Sequence, residues 1–252
     1  MQTIRVSEAG GVTTITLNRP EVMNALSGRM RAEVTAALTA AHGGRGIVLT
    51  GAGRAFCSGQ DLTDAGGLDV EATLRDEYVP MLMAITDAPV PVIAAVNGTA
   101  AGAGANLALA CDVVIAAESA SFIQAFTRIG LIPDAGGTHT LPRVVGKARA
   151  MGAALFADRI SARQAADWGM IWEAVPDAEF AGVVAARAAH LASGPTVAFR
   201  ALKTALKGSF DRDLAAQLAL EARLQGICGA TEDFREGVAA FLAKRPARFR
   251  GQ

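Results

Sequence analysis

A chain of 252 residues with 51% apolar and 19% charged side chains can bury a sizeable core, which argues against a disordered polypeptide. Its 24 Lys+Arg balance 24 Asp+Glu, which argues against the basic face of a nucleic-acid binder, although a local basic spot for a phosphate-bearing ligand stays open. Cys57, Cys111 and Cys228 form no CxxC pair, which speaks against a disulfide framework or a Cys-rich zinc site.

The chain opens as a hairpin: Ile4 and Val6 alternate with polar residues, Ala9-Gly10-Gly11 turns, and Thr13 to Leu17 alternates again. No basic stretch followed by an apolar core precedes it, and no apolar run approaches bilayer length, so a cytoplasmic protein without a membrane partner is expected. Ser27 suits the N-cap of a helix with Met30, Val34 and Leu38 on one face, ended by Gly43-Gly44. Gly46 to Thr50 reads as a strand covered on both faces. A helix is expected from Glu71 to Thr86 (Leu74, Tyr78, Met81, Ile85), then the strand Val90–Val96, a short helix from about Gly104 to Ala110, and the strand Val113–Ala116. Strands alternating with helices indicate an α/β sheet with crossover connections. Beyond Ser161, which can cap Ala162–Trp168 before a stop at Gly169, the chain turns helical. Pro195 opens a further helix, and others follow near 214–224 and 233–244. The expected organisation is a core over 1–194 with a helical appendage over 195–252.

Three segments carry candidate chemistry. The loop Gly51–Leu62 follows a strand, where α/β proteins bind ligands, and its glycines permit close backbone approach; a plain surface loop explains it equally well. Asn97–Asn106 sets a Gly-rich turn before a helix, so accessible N–H groups could hold an oxyanion, or Gly102 and Gly104 could simply let the helix pack on the sheet. Asp134 follows Pro133 in a Gly-rich turn. Asp is a common turn former, but Phe126, Ile129, Leu131 and Ile132 surround it with apolar residues, and desolvation would raise its pKa toward useful proton exchange. A lone acid beside amide donors suits proton transfer next to a carbonyl. Cys57 has no companion base and reads as a small hydrophobe, Glu118 as a solvated edge residue. His42, His139 and His190 lack metal-ligand spacing, and no metal is expected.

Together, Leu17-Asn-Arg-Pro-Glu-Val-Met-Asn-Ala-Leu26, Phe56–Leu62, Asn97–Asp112 and Phe241-Leu-Ala-Lys-Arg245 resemble the crotonase, or enoyl-CoA hydratase/isomerase, superfamily along nearly the whole chain. The resemblance implies a ββα spiral core, C-terminal helices that assemble a homotrimer or homohexamer, and a coenzyme A thioester whose carbonyl is held by two backbone N–H groups. By position it assigns those donors to Ser58 and Ala103. It also assigns Ser58, Gly59, Gln60, Asp61 and Leu62 to the CoA site, and Phe241 and Lys244, from the same or a neighbouring subunit, to the CoA nucleotide. No cofactor is implied beyond the CoA of the substrate.

Hydratases of this superfamily carry two glutamates that position and activate water. At the matching positions this chain has Asn106 and Phe126, neither of which is a base, and the resemblance makes them pocket residues that keep water out. Between Thr99 and Val145 the only carboxylates are Asp112, Glu118 and Asp134. Ser121–Gly152, Trp168-Gly-Met-Ile-Trp172 and Arg235–Lys244 look most like the ring 1,2-epoxyphenylacetyl-CoA isomerases of aerobic phenylacetate breakdown, which use an aspartate at the Asp134 position; some also shift double bonds in enoyl-CoA thioesters. The expectation is therefore a CoA-thioester isomerase with Asp134 as acid/base. Its rivals are an enoyl-CoA hydratase of fatty-acid β-oxidation using Asp134 alone, a CoA- or RNA-binding member with little catalysis, and a dehalogenase with Asp134 as nucleophile.

Overall fold

In the computed structural model, which describes residues 1–63, 67 and 69–252, the opening hairpin forms as expected. Strands β1 (Ile4–Ala9) and β2 (Val12–Leu17) pair antiparallel with Ile4 opposite Leu17. Thr13, Ile15 and Leu17 point into the core at every second position.

Thereafter the strands come in pairs. β3 (Gly46–Gly51) leads into β4 (Ala55–Cys57), β5 (Val92–Val96) into β6 (Thr99–Ala101), and β7 (Val113–Ala117) into β8 (Ser121–Ile123). The first strand of each pair joins a six-stranded sheet in the order β1-β2-β3-β5-β7-β10, where β10 is Glu173–Val175. The second joins a smaller sheet in the order β4-β6-β8-β9, where β9 is Ile160–Ser161. Within it β4, β6 and β8 run parallel and β9 antiparallel. A repeated strand–strand–helix turn therefore coils the chain into a ββα spiral. Strands of two or three residues are too short to show a period, so alternation in the sequence reveals only the larger sheet.

Helix α1 (Gly28–Ala40) starts where Ser27 accepts the Met30 N–H, and it buries Met30, Val34 and Leu38. The single helix expected over 71–86 is instead α2 (Val70–Thr73), a π turn over Leu74–Tyr78, and α3 (Val79–Thr86). Pro80 has no N–H to give and its ring crowds the preceding turn, and the widened turn just ahead of it absorbs that misfit. The short helix α4 (Ala103–Leu109) is buried along its whole length.

Two long helices were not visible in the sequence pattern. α5 (Gly137–Phe156) carries Pro142 and a break at Gly146, which disguise its period. α7 (Asp177–Ala192) is so alanine-rich that its apolar stripe is weak; it covers a second core layer of Val48, Ile93, Ala95 and Ile115 through Phe180, Val183 and Val184. Between them lies α6 (Ala162–Asp167), capped by Ser161 as expected. Pro195 stands at the N-cap of α8 (Thr196–Lys207), one position ahead of the first turn. α8 packs beside α9 (Leu214–Gly229), and α10 (Glu232–Leu242) packs against α9. No helix among the described residues is long and apolar enough to cross a membrane.

Candidate active site

The C-terminal ends of β4, β6 and β8 lie side by side, because those strands are parallel neighbours, and each releases one of the three candidate segments. The β4 end delivers Ser58, Gly59, Gln60 and Leu62, the β6 end Gly102 and Ala103, and the β8 end Ala125, Phe126, Arg128, Ile129, Leu131 and Asp134. They enclose a cavity of about 520 Å³, closed on the remaining side by Val70, Thr73, Leu74 and Tyr78 from α2 and the π turn. Ligands of parallel sheets gather at such carboxyl ends.

Gly59 sets the spacing between the first two segments. It holds φ +94°, and a Cβ there would stand 2.8 Å from the Ala101 carbonyl oxygen and 3.3 Å from the Ala103 nitrogen. Only a bare Cα lets the strip after β4 lie against the start of α4. Ala103 is the first residue of α4, so its N–H has no carbonyl within the helix to bond.

For the second donor the structure corrects the expected residue. The Ser58 N–H donates to the Met23 carbonyl at 3.0 Å and is not available to a ligand. Two residues on, Leu26 grips the chain on both sides of Gln60: its N–H donates to Gly59 O at 2.7 Å, and its carbonyl accepts the Asp61 N–H at 3.2 Å. The Gln60 N–H lies between these bonds and has no acceptor among the described residues. Gln60 and Ala103 thus supply the free amide donors at the cavity, and Ser58 contributes wall. The motif alone could not distinguish them, because the distinction lies in which N–H Met23 consumes.

Asp134 is half-buried in the cavity wall. Burial pushes its carboxyl up to about 6 from an ordinary 3.8, and its Oδ1 is fully covered without a hydrogen-bond partner. Its own turn holds it there. Ala135 and Gly136 both take positive φ, and Gly137 returns its N–H to the Asp134 carbonyl at 2.8 Å. Asp134 is the only carboxylate among the described lining residues.

Phe126 is 5% exposed and lies in the cavity wall beside Gly102. Asn106 does not line the cavity, contrary to its expected place. It is buried behind the wall, where its Nδ2 donates to the Asp134 carbonyl at 2.7 Å and its Oδ1 accepts from Gln124 Nε2 at 2.9 Å. Only the first residue of α4, Ala103, lines the cavity; Asn106, farther along the helix, meets the Asp134 turn and braces the acid from outside. Asp61 is also a structural residue: Thr63 and the Arg19 guanidinium, at 2.7 Å each, hold its carboxyl below the usual carboxylate range. Phe241 and Lys244 lie on and just after α10, and neither lines the chain's own cavity.

Cys57 is buried, its thiol pushed up to about 12 by desolvation, in keeping with an unreactive hydrophobe. Glu118 pairs with Arg163 at 2.6 Å, and His139 is an exposed residue of α5. Tyr78, not among the expected site residues, is 3% exposed and reaches the cavity from the π turn. Its position in an apolar helical stripe gives it the appearance of a core residue in the sequence.

The same arrangement of segments recurs in known proteins. The sequence profile of the enoyl-CoA hydratase/isomerase family matches residues 7–252. The chain is 64% identical, over 99% of its length and 98% of the relative's, to a Rhodobacter capsulatus protein named "Probable enoyl-CoA hydratase". It is 47% identical to the 1,2-epoxyphenylacetyl-CoA isomerase of Escherichia coli, with 96% of each chain covered. Among solved structures, the enoyl-CoA hydratase of Bacillus anthracis superposes with a TM-score of 0.93 at 36% identity, covering 100% of both chains. Since profile, relatives and fold agree across the whole length, the chain is a member of the enoyl-CoA hydratase/isomerase family, within the crotonase superfamily.

Proposed function

We propose that this enzyme isomerises acyl-CoA thioesters, with Asp134 as its single acid/base and the Gln60 and Ala103 N–H groups as the oxyanion donors. The observation that carries this reading is the desolvated Asp134 carboxyl, one oxygen of which has no hydrogen-bond partner, in the wall of a largely apolar cavity with no second carboxylate among the described lining residues; Arg128 also lines that cavity. On a 3-enoyl-CoA, ionised Asp134 removes a proton from C2. The C–H electrons delocalise onto the thioester oxygen, where the two amides hold the negative charge, and the same carboxylic acid returns the proton at C4 to give the 2-enoyl isomer. For a ring 1,2-epoxyphenylacetyl-CoA, the same acid assists opening of the epoxide toward the oxepin. The 47% identity to the E. coli 1,2-epoxyphenylacetyl-CoA isomerase supports that aromatic substrate. CoA enters as part of the substrate. Phe241 and Lys244 are assigned to the CoA nucleotide of a neighbouring copy, in a homotrimer or homohexamer assembled through the C-terminal helices.

A hydratase reading draws support from the name of the relative at 64% identity. It would have to run on Asp134 alone, since Asn106 braces a turn and Phe126 cannot carry a proton. Turnover of epoxyphenylacetyl-CoA, a 3-enoyl-CoA and crotonyl-CoA by the purified protein separates the two readings. Isomerisation should dominate, and Asp134→Asn should lower it by about 100-fold or more. Dominant hydration of crotonyl-CoA, or near-wild-type isomerisation by Asp134→Asn, would refute the assignment.

A further inference from the structure

One side chain at the site takes no part in the chemistry above, yet it is held by three hydrogen bonds. Gln60 lends its backbone N–H to the proposed oxyanion hole, while its carboxamide points away into a buried polar cluster. There Oε1 accepts two hydrogen bonds, from Arg31 Nη1 at 2.8 Å and from the Tyr78 hydroxyl at 2.7 Å. Nε2 donates to the Asp61 carbonyl at 3.0 Å. Every polar atom of the carboxamide is therefore used.

The two donors are themselves fixed. Arg31 is 3% exposed, a burial that a cation tolerates only when paired. Its Nε and Nη2 meet Glu77 Oε2 at 2.9 and 2.7 Å, and its Nη1 also donates to the Leu26 carbonyl at 2.6 Å. That carbonyl also accepts the Asp61 N–H, so Arg31 holds both the backbone brace beside Gln60 and the Gln60 side chain. The guanidinium stacks over the Tyr78 ring at 4.9 Å. Tyr78 is delivered by the π turn, and burial, the largest influence on its phenol, keeps it neutral and able to donate.

We infer that Arg31 and Tyr78 act as positioning residues that clamp Gln60, so that its N–H points at the thioester oxygen before substrate arrives. The inference rests on the oxyanion-hole reading above. An amide donor stabilises charge only if it is already oriented when the charge develops; Leu26 holds the backbone on either side of Gln60, and the side-chain bonds restrain the residue between those two points. Tyr78 forms cavity wall as well, so a purely structural or steric role is the competing explanation that the test must exclude.

Tyr78→Phe removes one donor to the carboxamide while keeping the ring, and Gln60→Met removes the acceptor while keeping the backbone N–H and the side-chain length. Each should lower kcat for 3-enoyl-CoA isomerisation about tenfold with KM within about twofold. The double variant should be no slower than Gln60→Met, because both changes act through one acceptor atom. The infrared carbonyl stretch of bound phenylacetyl-CoA, labelled with 13C at the thioester, should move toward its free-solution frequency in either variant. Wild-type kcat in both variants, multiplicative losses in the double variant, a rise in KM alone, or an unmoved carbonyl band would each overturn the clamp. If Gln60→Met does not fold, Tyr78→Phe and its carbonyl band decide the matter alone. Asp134→Asn, assayed alongside, separates the two levels: full isomerisation there would overturn Asp134 as the acid/base of the proposed reaction, whereas its loss beside unaffected clamp variants would overturn only the clamp.

Discussion

Asp134 is costly to the fold, and in the proposed reaction that same cost is useful. Its carboxyl is raised to about 6 by burial, so the folded state favours the protonated form. The sign follows from linkage: stability is unpenalised below the unfolded value of 3.8 and falls as pH rises through the window from about 4 to 6. As a base, however, the group must be ionised. kcat/KM should therefore climb with pH and level off above about 6, and that limb should vanish in the residual activity of Asp134→Asn. The same variant should melt higher than wild type at pH 8 while the two converge near pH 4, and a lower melting temperature at pH 8 would contradict the burial argument. Asp134 could be read from the sequence because a carboxylate flanked by apolar residues in a Pro/Gly turn is unusual. Gln60 was placed in the CoA site by resemblance but not as the amide donor, since that part depends on Met23 taking the Ser58 N–H from a distant segment. Asn106 was legible as a missing glutamate but not as a brace, because its contact with the Asp134 carbonyl requires the tertiary fold.

At the level of elements, short contacts between distant helices and loops decide both the site and the stability. Gly137 opens α5, and a Cβ there would stand 2.3 Å from Asn106 Nδ2. Gly137→Ala should therefore break the brace on the Asp134 carbonyl, costing about 1–3 kcal/mol in unfolding free energy and lowering kcat, measurable by urea titration beside turnover. α8 offers a second case. Lys203 Nζ reaches Asp112 Oδ2 at 2.6 Å and the Val90 carbonyl at 3.1 Å, tying the helix to the loops around β5 and β7. Burial already raises the Asp112 carboxyl despite this partner. Lys203→Met should destabilise by about 1–3 kcal/mol, and adding Asp112→Asn should recover part of the loss in denaturant melts. Helices with strong caps and clean stripes, such as α1 after Ser27 and α6 after Ser161, were readable in the sequence. α5 was hidden by Pro142 and Gly146, and the division at Leu74–Tyr78 arises because Pro80 breaks a pattern that otherwise looks continuous.

For the molecule as a whole, the single chain leaves a large apolar surface uncovered. Leu155, Phe156, Trp172, Phe210, Leu214 and Phe241 are all more than half exposed, most of them on α5 and the C-terminal helices. A lone monomer rarely tolerates that much. Light scattering should give about 78 kDa, three copies of a 25.9 kDa chain, or twice that mass, and a monomer at micromolar concentration would exclude the proposed assembly. The α/β alternation and the spiral's larger sheet could be inferred from apolar strands at regular intervals, whereas the smaller sheet, made of two- and three-residue strands, could not. That smaller sheet also separates the work of the site among successive coils. In the proposed reaction the chain leaving β4 and β6 would grip the thioester, and the chain leaving β8 would bring the reacting acid. The chemistry is thus carried on an exchangeable cartridge: replacing the stretch after β8 could install a different reaction on the same activated carbonyl without rebuilding the grip.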